Sequence, residues 1–466
     1  MSNFSEWVKK SYTVKFGLIG ILVLLLLIPA SMVEELIYER QNNSEQVNLE
    51  VGSKWGYAQT LTGPVINLPY KAKFKSTNEK GETIYTDGTG TLHFLPENLT
   101  ITNKVKTETR YRGIYKAVVY SDEAVMEGNF GKIDFAQLNI PAESILWEQA
   151  YLSLPVSDLR GIKNRVMVQW NDDTLEMQPG IADNDMLINA APRRIADAYN
   201  EKPVLTSGVS AAASSGLSAS VNIRELDRMS FRIPLQLNGS AALWFIPTGK
   251  ETNIHVESSY PDPGFDGAFL PDKHDIRKDG FSANWKIFHL NRNFPQAWAN
   301  NAFDMNGAGF GVQLLVPADH YQKSMRSAKY AIMFIVLTFL VFVFSEILNR
   351  YSIHPVQYLL IGLALVLFYT LLLSLSEQIG FTGSYIVSSL AIIGLITLYS
   401  KTIFSQNKMV AVLAGILIIL YGFLFIVLRS EDYALLLGSI GLFIVLAIVM
   451  YLSRKVQWYG NIDKES

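Results

Sequence analysis

Long apolar runs are distributed unevenly along the chain. One run, Phe16–Val33, is followed by a long and mostly polar stretch, and the other runs are crowded between Tyr330 and Leu452. The hydrocarbon core of a bilayer is about 30 Å thick and needs roughly 20 apolar residues of helix to span it. The runs therefore predict six transmembrane helices, at 16–33, 330–348, 356–375, 381–400, 409–428 and 433–452.

Basic residues beside the runs predict the orientation of the chain. Lys9, Lys10 and Lys15 precede the first run, and Arg454 and Lys455 follow the last. Since basic residues are enriched on the cytoplasmic side of membrane proteins, both termini, at 1–15 and 453–466, are expected in the cytoplasm. The segment 34–329 is then expected outside it, held by an uncleaved anchor at 16–33. A cleaved signal peptide is the alternative.

The segment between Gln41 and Pro317 predicts β-structure. Short stretches of alternating apolar and polar residues are separated by Gly, Pro, Asn and Asp, as in Thr91–Leu95, Tyr115–Tyr120 and Phe231–Leu237. Alternation with a period of two gives each strand one apolar face. The expected fold class is therefore a membrane α-helical protein with six transmembrane helices plus a large all-β extracytoplasmic domain.

Short sequence echoes predict that the β-domain contains a duplication. Phe94-Leu95-Pro96 recurs as Phe245-Ile246-Pro247, the first of three such echoes in the same order. They favour two related β-sandwich-like units at about 50–178 and 220–320, although chance similarity among β-proteins would give the same pattern. The small-residue stretch Thr206–Ser220 is predicted to be a flexible linker or loop.

Composition narrows the chemistry of the chain. The net charge of −2 gives no electrostatic footprint for nucleic-acid binding. Cysteine is absent, which excludes disulfides, thiolate nucleophiles and cysteine metal sites. None of the six histidines stands in a zinc-binding spacing, and the motifs of nucleotide-binding loops and serine hydrolases do not occur. No catalytic, cofactor-binding or metal residue is predicted, and the chain is expected not to be an enzyme.

Four ionisable residues lie at the ends of predicted spans. Glu346 and Arg350 close the second span, His354 precedes the third, and Glu377 follows it. A spacing of four would place Glu346 near Arg350 in a helix, whereas Pro355 disfavours helix at His354. Charges at membrane depth are costly and suggest function, but all of these lie close to an interface. An interfacial ion pair that fixes helix depth is the favoured interpretation, and a role in transport is the alternative.

One extracytoplasmic loop is rich in proline and aromatic residues. Tyr260, Phe265 and Phe269 lie within Tyr260–Pro271, where prolines and glycines favour rigid turns. Exposed rings on such a loop would suit ligand binding. A structural loop whose rings pack against the domain is the other interpretation and the favoured one.

Several segments resemble the CreD family of bacterial inner-membrane proteins. The segments that carry the resemblance are Leu27–Pro29 with Leu36–Arg40, Gly63–Pro69, Phe265–Pro271 with Gly280–Trp285, and Ile353–Phe381. The resemblance implies a multi-pass protein of the cell inner membrane with its large domain in the periplasm. It also implies a link to cell envelope integrity, to regulation by a two-component system and to altered tolerance of colicins and β-lactams. It carries no catalytic residue over to this chain.

The leading hypothesis is a non-enzymatic inner-membrane protein that supports envelope integrity and stress tolerance through its periplasmic β-domain. The expected partners are the lipid bilayer and an unknown periplasmic protein or cell-wall component. A transporter or lipid-handling protein that uses the five-helix bundle at 330–452 is the alternative, and a membrane-anchored hydrolase ranks lowest. Glycines such as Gly362 and Gly441 allow close helix contacts within one chain or between two, which leaves a homo-oligomer open.

Overall fold

The chain folds into two compact units. The computed structural model describes residues 12–77, 83–133, 138, 140–180, 215–223, 228–300, 302–314, 319–349, 353–404, 406–430 and 434–454. One unit is formed by Met1–Ser44 with Pro317–Ser466 and the other by Glu45–Val316. We refer to them as the helical unit and the β-rich unit.

A single helix, α1 (Tyr12–Trp55), begins in the helical unit and ends in the β-rich unit. This helix continues well beyond the apolar run 16–33. The prediction that β-structure begins at Gln41 is wrong, because the polar residues that follow continue the same helix. It ends before Gly56, whose φ of +137° is accessible to glycine but strained for other residues.

The other helices of the helical unit lie in the C-terminal part of the chain. They are α2 (Asp319–Lys329), α3 (Ala331–Asn349), α4 (Pro355–Ile403), α5 (Asn407–Arg429) and α6 (Ala434–Ser453). The segment 319–329 was assigned to the β-domain from the sequence, but it forms α2. The backbone of α4 is not helical at Gly380, where φ is 76° and ψ is 166°. This break falls between the spans predicted at 356–375 and 381–400.

The apolar helices agree with a membrane protein. Within the described ranges, three helices are long and apolar enough to cross a membrane, and a fourth span results if α2 and α3, which meet at a bend of 45°, are taken together. The apolar segment Leu436–Tyr451 of α6 is shorter. The count of six spans stays a prediction.

The β-rich unit contains strands throughout its length. In the first half they are β1 (Gln59–Thr62), β2 (Val65–Thr77), β3 (Thr83–Phe94), β4 (Asn98–Arg112), β5 (Tyr115–Phe130), β6 (Tyr151–Pro155), β7 (Met167–Trp170), β8 (Asp173–Glu176) and β9 (Gln178–Pro179). In the second half they are β10 (Gly216–Ser220), β11 (Met229–Ser240), β12 (Ala242–Ile246), β13 (Glu251–Ser258), β14 (Gly264–Gly267), β15 (Lys273–Arg277), β16 (Gly280–Phe288), β17 (Ala297–Ala299) and β18 (Phe310–Gln313).

Three sheets contribute side chains to a large hydrophobic core. A four-stranded sheet has the order β1-β12-β18-β14, a six-stranded sheet has the order β17-β3-β2-β6-β10-β9, and an eight-stranded sheet has the order β15-β16-β13-β4-β5-β11-β7-β8. Alternation explains how they pack: in β11, Phe231 and Ile233 are buried while Arg232 between them is exposed. Buried side chains from all three sheets form a continuous cluster. Full burial of each large apolar side chain is worth about 1.5–3 kcal/mol.

Strands from the two predicted halves are neighbours in the same sheet. β13 pairs in parallel with β4, beginning with Glu251 opposite Asn98, and β11 pairs antiparallel with β5. The echo Phe94-Leu95-Pro96 leads into β4, and its counterpart Phe245-Ile246-Pro247 lies before β13. A β-rich region is therefore confirmed, two separate sandwich-like units are not observed, and the duplication stays a prediction.

The predicted linker at 206–220 is only partly described. Gly216–Ser220 form β10, which pairs antiparallel with β6 and with β9. The end of the small-residue stretch is thus part of a sheet. Residues 206–214 lie outside the described residues.

Candidate functional site

A buried carboxylate joins three helices of the helical unit. Glu346, near the end of α3, is 5% exposed, and its Oε1 accepts a hydrogen bond from Lys15 Nζ of α1 at 2.7 Å. The same oxygen accepts from the Ile353 amide at 3.2 Å, and Oε2 accepts from the Tyr358 hydroxyl of α4 at 3.0 Å. A buried charge persists only when it is paired and hydrogen-bonded. The cluster therefore holds the start of α1, the end of α3 and the start of α4 together.

The structure gives Glu346 a partner that helical spacing did not suggest. Lys15 approaches it from another helix, and Arg350 lies outside the described residues, so a contact with Arg350 stays a prediction. His354 is the N-cap of α4, in agreement with the effect expected from Pro355. Its ring Nδ1 accepts from the Val356 amide at 3.3 Å, which requires an unprotonated Nδ1.

Glu377 connects α2 to α4. Its Oε1 accepts a hydrogen bond from the hydroxyl of Tyr321, a buried residue of α2, at 3.0 Å. Glu377 is itself half-buried and lies three residues before the break at Gly380. Glu346, His354 and Glu377 are thus all engaged in contacts that position helices.

The rings of the proline-rich loop contact the core of the β-rich unit. Tyr260 is 8% exposed. Phe265 lies edge-on to Trp285 with ring centres 5.8 Å apart, and Phe269 lies edge-on to Phe310 at 5.5 Å. These contacts agree with the packed-loop interpretation, and ligand binding by the three rings stays a prediction.

A charged cluster that sequence reasoning missed fixes the end of α1 to the β-rich unit. Asp158 is 8% exposed, and its carboxylate accepts from Arg160 Nε at 2.8 Å, from Arg160 Nη2 at 2.9 Å and from the Tyr57 amide at 3.1 Å. Arg160 Nη1 also donates to the Ser53 carbonyl in the last turn of α1, at 3.2 Å. Burial acts to raise the pKa of Asp158, but the hydrogen bonds from Arg160 and the Tyr57 amide outweigh it and hold this pKa below its ordinary value.

Uncharged contacts complete this junction. Gln59 is fully buried, and its Nε2 donates to the carbonyls of Asp158 at 3.1 Å and Asn238 at 3.0 Å. Trp55 Nε1, at the last position of α1, donates to the Tyr120 carbonyl at 3.1 Å. The end of the helix is therefore bound to the sheets by side chains instead of leading into a free linker.

Two local signals would have pointed to these contacts. Lys15 directly precedes an apolar run, where a basic side chain can reach an acidic group at the end of another span. Gly56 directly follows Trp55, and glycine is the residue most often found just after the end of a helix.

An open groove lies on the exposed face of the eight-stranded sheet. Its volume is about 400 Å³. Its lining combines polar and charged side chains with apolar surface from Trp285 and Phe288, and the residues that matter here are Thr100, Asn253, His255, Asn284, Lys286 and Phe288. His255 Nδ1 and Asn284 Oδ1 are hydrogen-bonded at 2.8 Å. Hydroxyl, amide and imidazole groups of this kind offer both donors and acceptors to a polar ligand.

Asp122 is an ionisable residue in the core of the β-rich unit. It is 1% exposed and shares a sheet face with buried Asn103 of the adjacent strand. Among the described residues, no hydrogen bond of ordinary geometry reaches either Asp122 oxygen or Asn103 Oδ1. Burial raises the pKa of Asp122 to about 8, with a smaller opposing effect from the Lys104 amide and a further increase from Glu123. The carboxyl is therefore protonated at neutral pH.

Comparisons with known proteins cover both units. The sequence model of a family described as Inner membrane protein CreD matches residues 11–459. The Inner membrane protein CreD of Escherichia coli (strain K12) is 31% identical over 448 residues, which are 94% of this chain and 92% of that protein. The matched range includes every candidate residue named above.

Proposed function

Because the chain belongs to the CreD family of inner membrane proteins, we propose that it supports cell-envelope integrity and stress tolerance by presenting the β-rich unit on the periplasmic side. The six predicted spans, with both termini in the cytoplasm, form the anchor. The β-rich unit binds an envelope partner, either a protein or a cell-wall component, and catalyses no reaction.

The open groove on the eight-stranded sheet is the observation that carries this proposal. Its amide groups, such as those of Asn253 and Asn284, bind a polar partner at a smaller desolvation cost than charged groups would. Phe288, 44% exposed, adds apolar surface beside them. The combination of an exposed ring with neutral amides and with the charged side chains of Asp272 and Lys286 suits a peptide or a saccharide.

The attachment of α1 supports the same function. A free linker at this point would leave the end of α1 without contacts to the sheets. Here Arg160 bridges Asp158 and the last turn of α1, and Gln59 is fully buried beside them. The end of α1 and the sheets thus form one packed body.

Single-cysteine labelling tests the proposed sidedness. Because the chain has no cysteine, Lys278→Cys in the β-rich unit and Lys401→Cys near the end of α4 each introduce one exposed thiol. A maleimide that cannot cross the inner membrane should label Lys278→Cys in cells whose inner membrane is intact. It should label Lys401→Cys only after that membrane is permeabilised. The reverse pattern would overturn the proposed orientation.

Substitution of groove residues tests the binding role. The full-length His255→Ala, Asn284→Ala variant is expressed in cells that lack their own copy, and tolerance of envelope stress is measured. We expect tolerance to be lost while membrane abundance and thermal unfolding stay unchanged. A matched control replaces Lys71 and Lys73 by alanine, since both are exposed on β2 of another sheet. Full tolerance in the groove variant would refute the proposal.

Transport through the helical unit is the second candidate function. The observation that favours it is that two buried hydroxyl groups of α4, Tyr369 Oη and Ser388 Oγ, each have no hydrogen-bond partner in the described part of the chain. A polar substrate would satisfy them. If Tyr369→Phe with Ser388→Ala abolishes stress tolerance and the groove variant does not, transport becomes the better account.

A further inference from the structure

A second open groove lies on the eight-stranded sheet, where β5, β11 and β7 are neighbours. Its volume is about 380 Å³. Arg228, Arg232 and Glu127 are the charged residues of its lining within the described ranges. Arg232 Nη1 donates to Glu127 at 3.3 Å. Arg228 Nη2 donates to Asn129 Oδ1 at 3.5 Å, and Arg228 has no carboxylate partner among the described residues. The second groove therefore contains a positive charge that is not paired.

The open groove on β4, β13 and β16 also contains such a charge. Lys286 Nζ is paired with Glu251 at 2.8 Å, and Asp272 of the lining accepts from the Lys286 amide at 2.6 Å. Lys273, in contrast, has no carboxylate partner in the part of the chain that the structure describes. It is exposed on β15, at the edge of the sheet. Each groove thus offers one basic side chain to a negatively charged ligand.

A row of polar side chains connects the two grooves. Directly opposed residues on neighbouring strands point to the same face of a sheet. From β11 to β16 the row consists of Arg232, Glu127, Thr100, Asn253 and Lys286, each opposite the next. Four strand spacings of about 4.8 Å give it a length of about 19 Å. The two grooves are therefore parts of one continuous polar face.

A ligand that lies along this row crosses the strands. The central strands β4 and β5 are each paired on both sides within the sheet, and an extended peptide adds its backbone hydrogen bonds only at a sheet edge. A linear saccharide needs no such pairing, because each of its hydroxyl groups can both donate and accept. Thr100 and Asn253 offer matching hydroxyl and amide groups, and the exposed ring of Phe288 offers a surface for the C–H face of a sugar ring. The face therefore suits a saccharide better than a peptide.

From these observations, and resting on the proposed binding role of the β-rich unit, we propose that this face binds a linear saccharide that carries carboxylates. Arg228 and Lys273 pair with carboxylates of the bound chain, and the uncharged side chains between them bind its hydroxyl groups. A sugar unit is about as long as one strand spacing, so roughly six units reach from β11 to β15. Two exposed ion pairs together give about a tenfold preference for the acidic chain over a neutral one.

Two saccharides that differ only in charge measure this preference. Cellohexaose is neutral, and in its uronic-acid counterpart every C6 hydroxymethyl group is oxidised to a carboxylate. Their Kd values are measured by isothermal titration calorimetry with the full-length protein in phosphatidylcholine nanodiscs. We expect the acidic chain to bind about tenfold more tightly at low salt, and this preference to shrink at high salt. The Arg228→Gln, Lys273→Gln variant should bind both chains about equally.

Further variants make the result decisive. Lys71→Gln with Lys73→Gln removes two exposed charges from β2 of another sheet and should retain the preference. The single variants Arg228→Gln and Lys273→Gln should each lower it about threefold, which tests the proposal even if the double variant folds poorly. Equal affinity of the wild type for both chains, binding of neither chain, or an unchanged preference in the folded double variant would overturn the proposal.

Hexaglutamate tests the class of ligand, because it carries the same charges on a peptide. We expect it to bind more weakly than the acidic saccharide, and equal or tighter binding would overturn the proposal. None of these affinities decides whether the His255→Ala, Asn284→Ala variant loses tolerance of envelope stress. A failure here would therefore leave the proposed function standing, and full tolerance in that variant would refute the proposed function by itself.

Discussion

Raising the pH from 6 to 9 should destabilise the β-rich unit through Asp122. The pKa of this carboxyl is about 8 in the folded protein, against an ordinary value of 3.8. Between these two values the folded protein holds a proton that the unfolded chain has lost, so the free energy of unfolding falls as pH rises. The slope is about 1.4 kcal/mol for each pH unit. The expected loss is therefore about 2–3 kcal/mol between pH 6 and pH 8, with little further change above pH 8.

Replacement of Asp122 by asparagine should remove this dependence. Asparagine has nearly the same shape and stays uncharged, and its amide can donate to Asn103 Oδ1, which lacks a donor within the described structure. The assay is thermal unfolding of the full-length protein in nanodiscs, followed by the fluorescence of buried tryptophans such as Trp170 and Trp285. Glu127→Gln is the matched control, because Glu127 lies on the same strand but is exposed.

The result that would refute this reasoning is specific. If Asp122→Asn and the wild type lose the same stability between pH 6 and pH 8, Asp122 does not carry the effect. If the wild type is more stable at pH 8 than at pH 6, the folded state does not hold the proton.

Other predictions concern the helix contacts. Glu346→Ala leaves Lys15 partly buried without its carboxylate and should destabilise the helical unit by about 3–5 kcal/mol in a denaturation assay. Lys15→Met combined with Glu346→Gln should recover part of the lost stability. A neutral effect of Glu346→Ala would contradict the ion pair. Gly56→Ala places a Cβ 2.6 Å from the Asn238 carbonyl oxygen at a φ of +137° and should lower stability by about 1–3 kcal/mol. The loss should appear as faster hydrogen exchange of the amides at the end of α1. Unchanged exchange would argue against the close approach. Gly362→Leu should weaken packing between α1 and α4 by a similar amount, because even a Cβ at this position lies 2.1 Å from a methyl group of Leu26 in α1. An unchanged melting temperature would contradict that contact.

Features that depend on local periodicity could be predicted from the sequence. The apolar runs became helices, and the alternating stretch Phe231–Leu237 became part of β11, because burial selects residues every two or every three to four positions. The position of His354 just before the helix also followed from a neighbour, Pro355, whereas its capping role did not. Polar residues after Gln41 carry no such period, so the continuation of α1 to Trp55 was missed.

Contacts between distant residues could not be predicted in the same way. Lys15 and Glu346 are 331 positions apart, and nothing in either neighbourhood specifies the other. The parallel pairing of β4 with β13 likewise depends on how the intervening chain returns to the sheet. The groove, formed mainly by β4, β13 and β16, depends on that pairing, so no local pattern of residues indicated it.

The most direct test of the proposed function is photocrosslinking from the groove in living cells. A photoreactive amino acid replaces Asn284 in the full-length protein, and a second protein carries it in place of Lys73 on another sheet, where the side chain is also exposed. The account predicts one discrete envelope adduct from position 284, lost when His255→Ala is added, and none from position 73. The same adducts from both positions, or none from position 284 in cells whose stress tolerance depends on the protein, would contradict it.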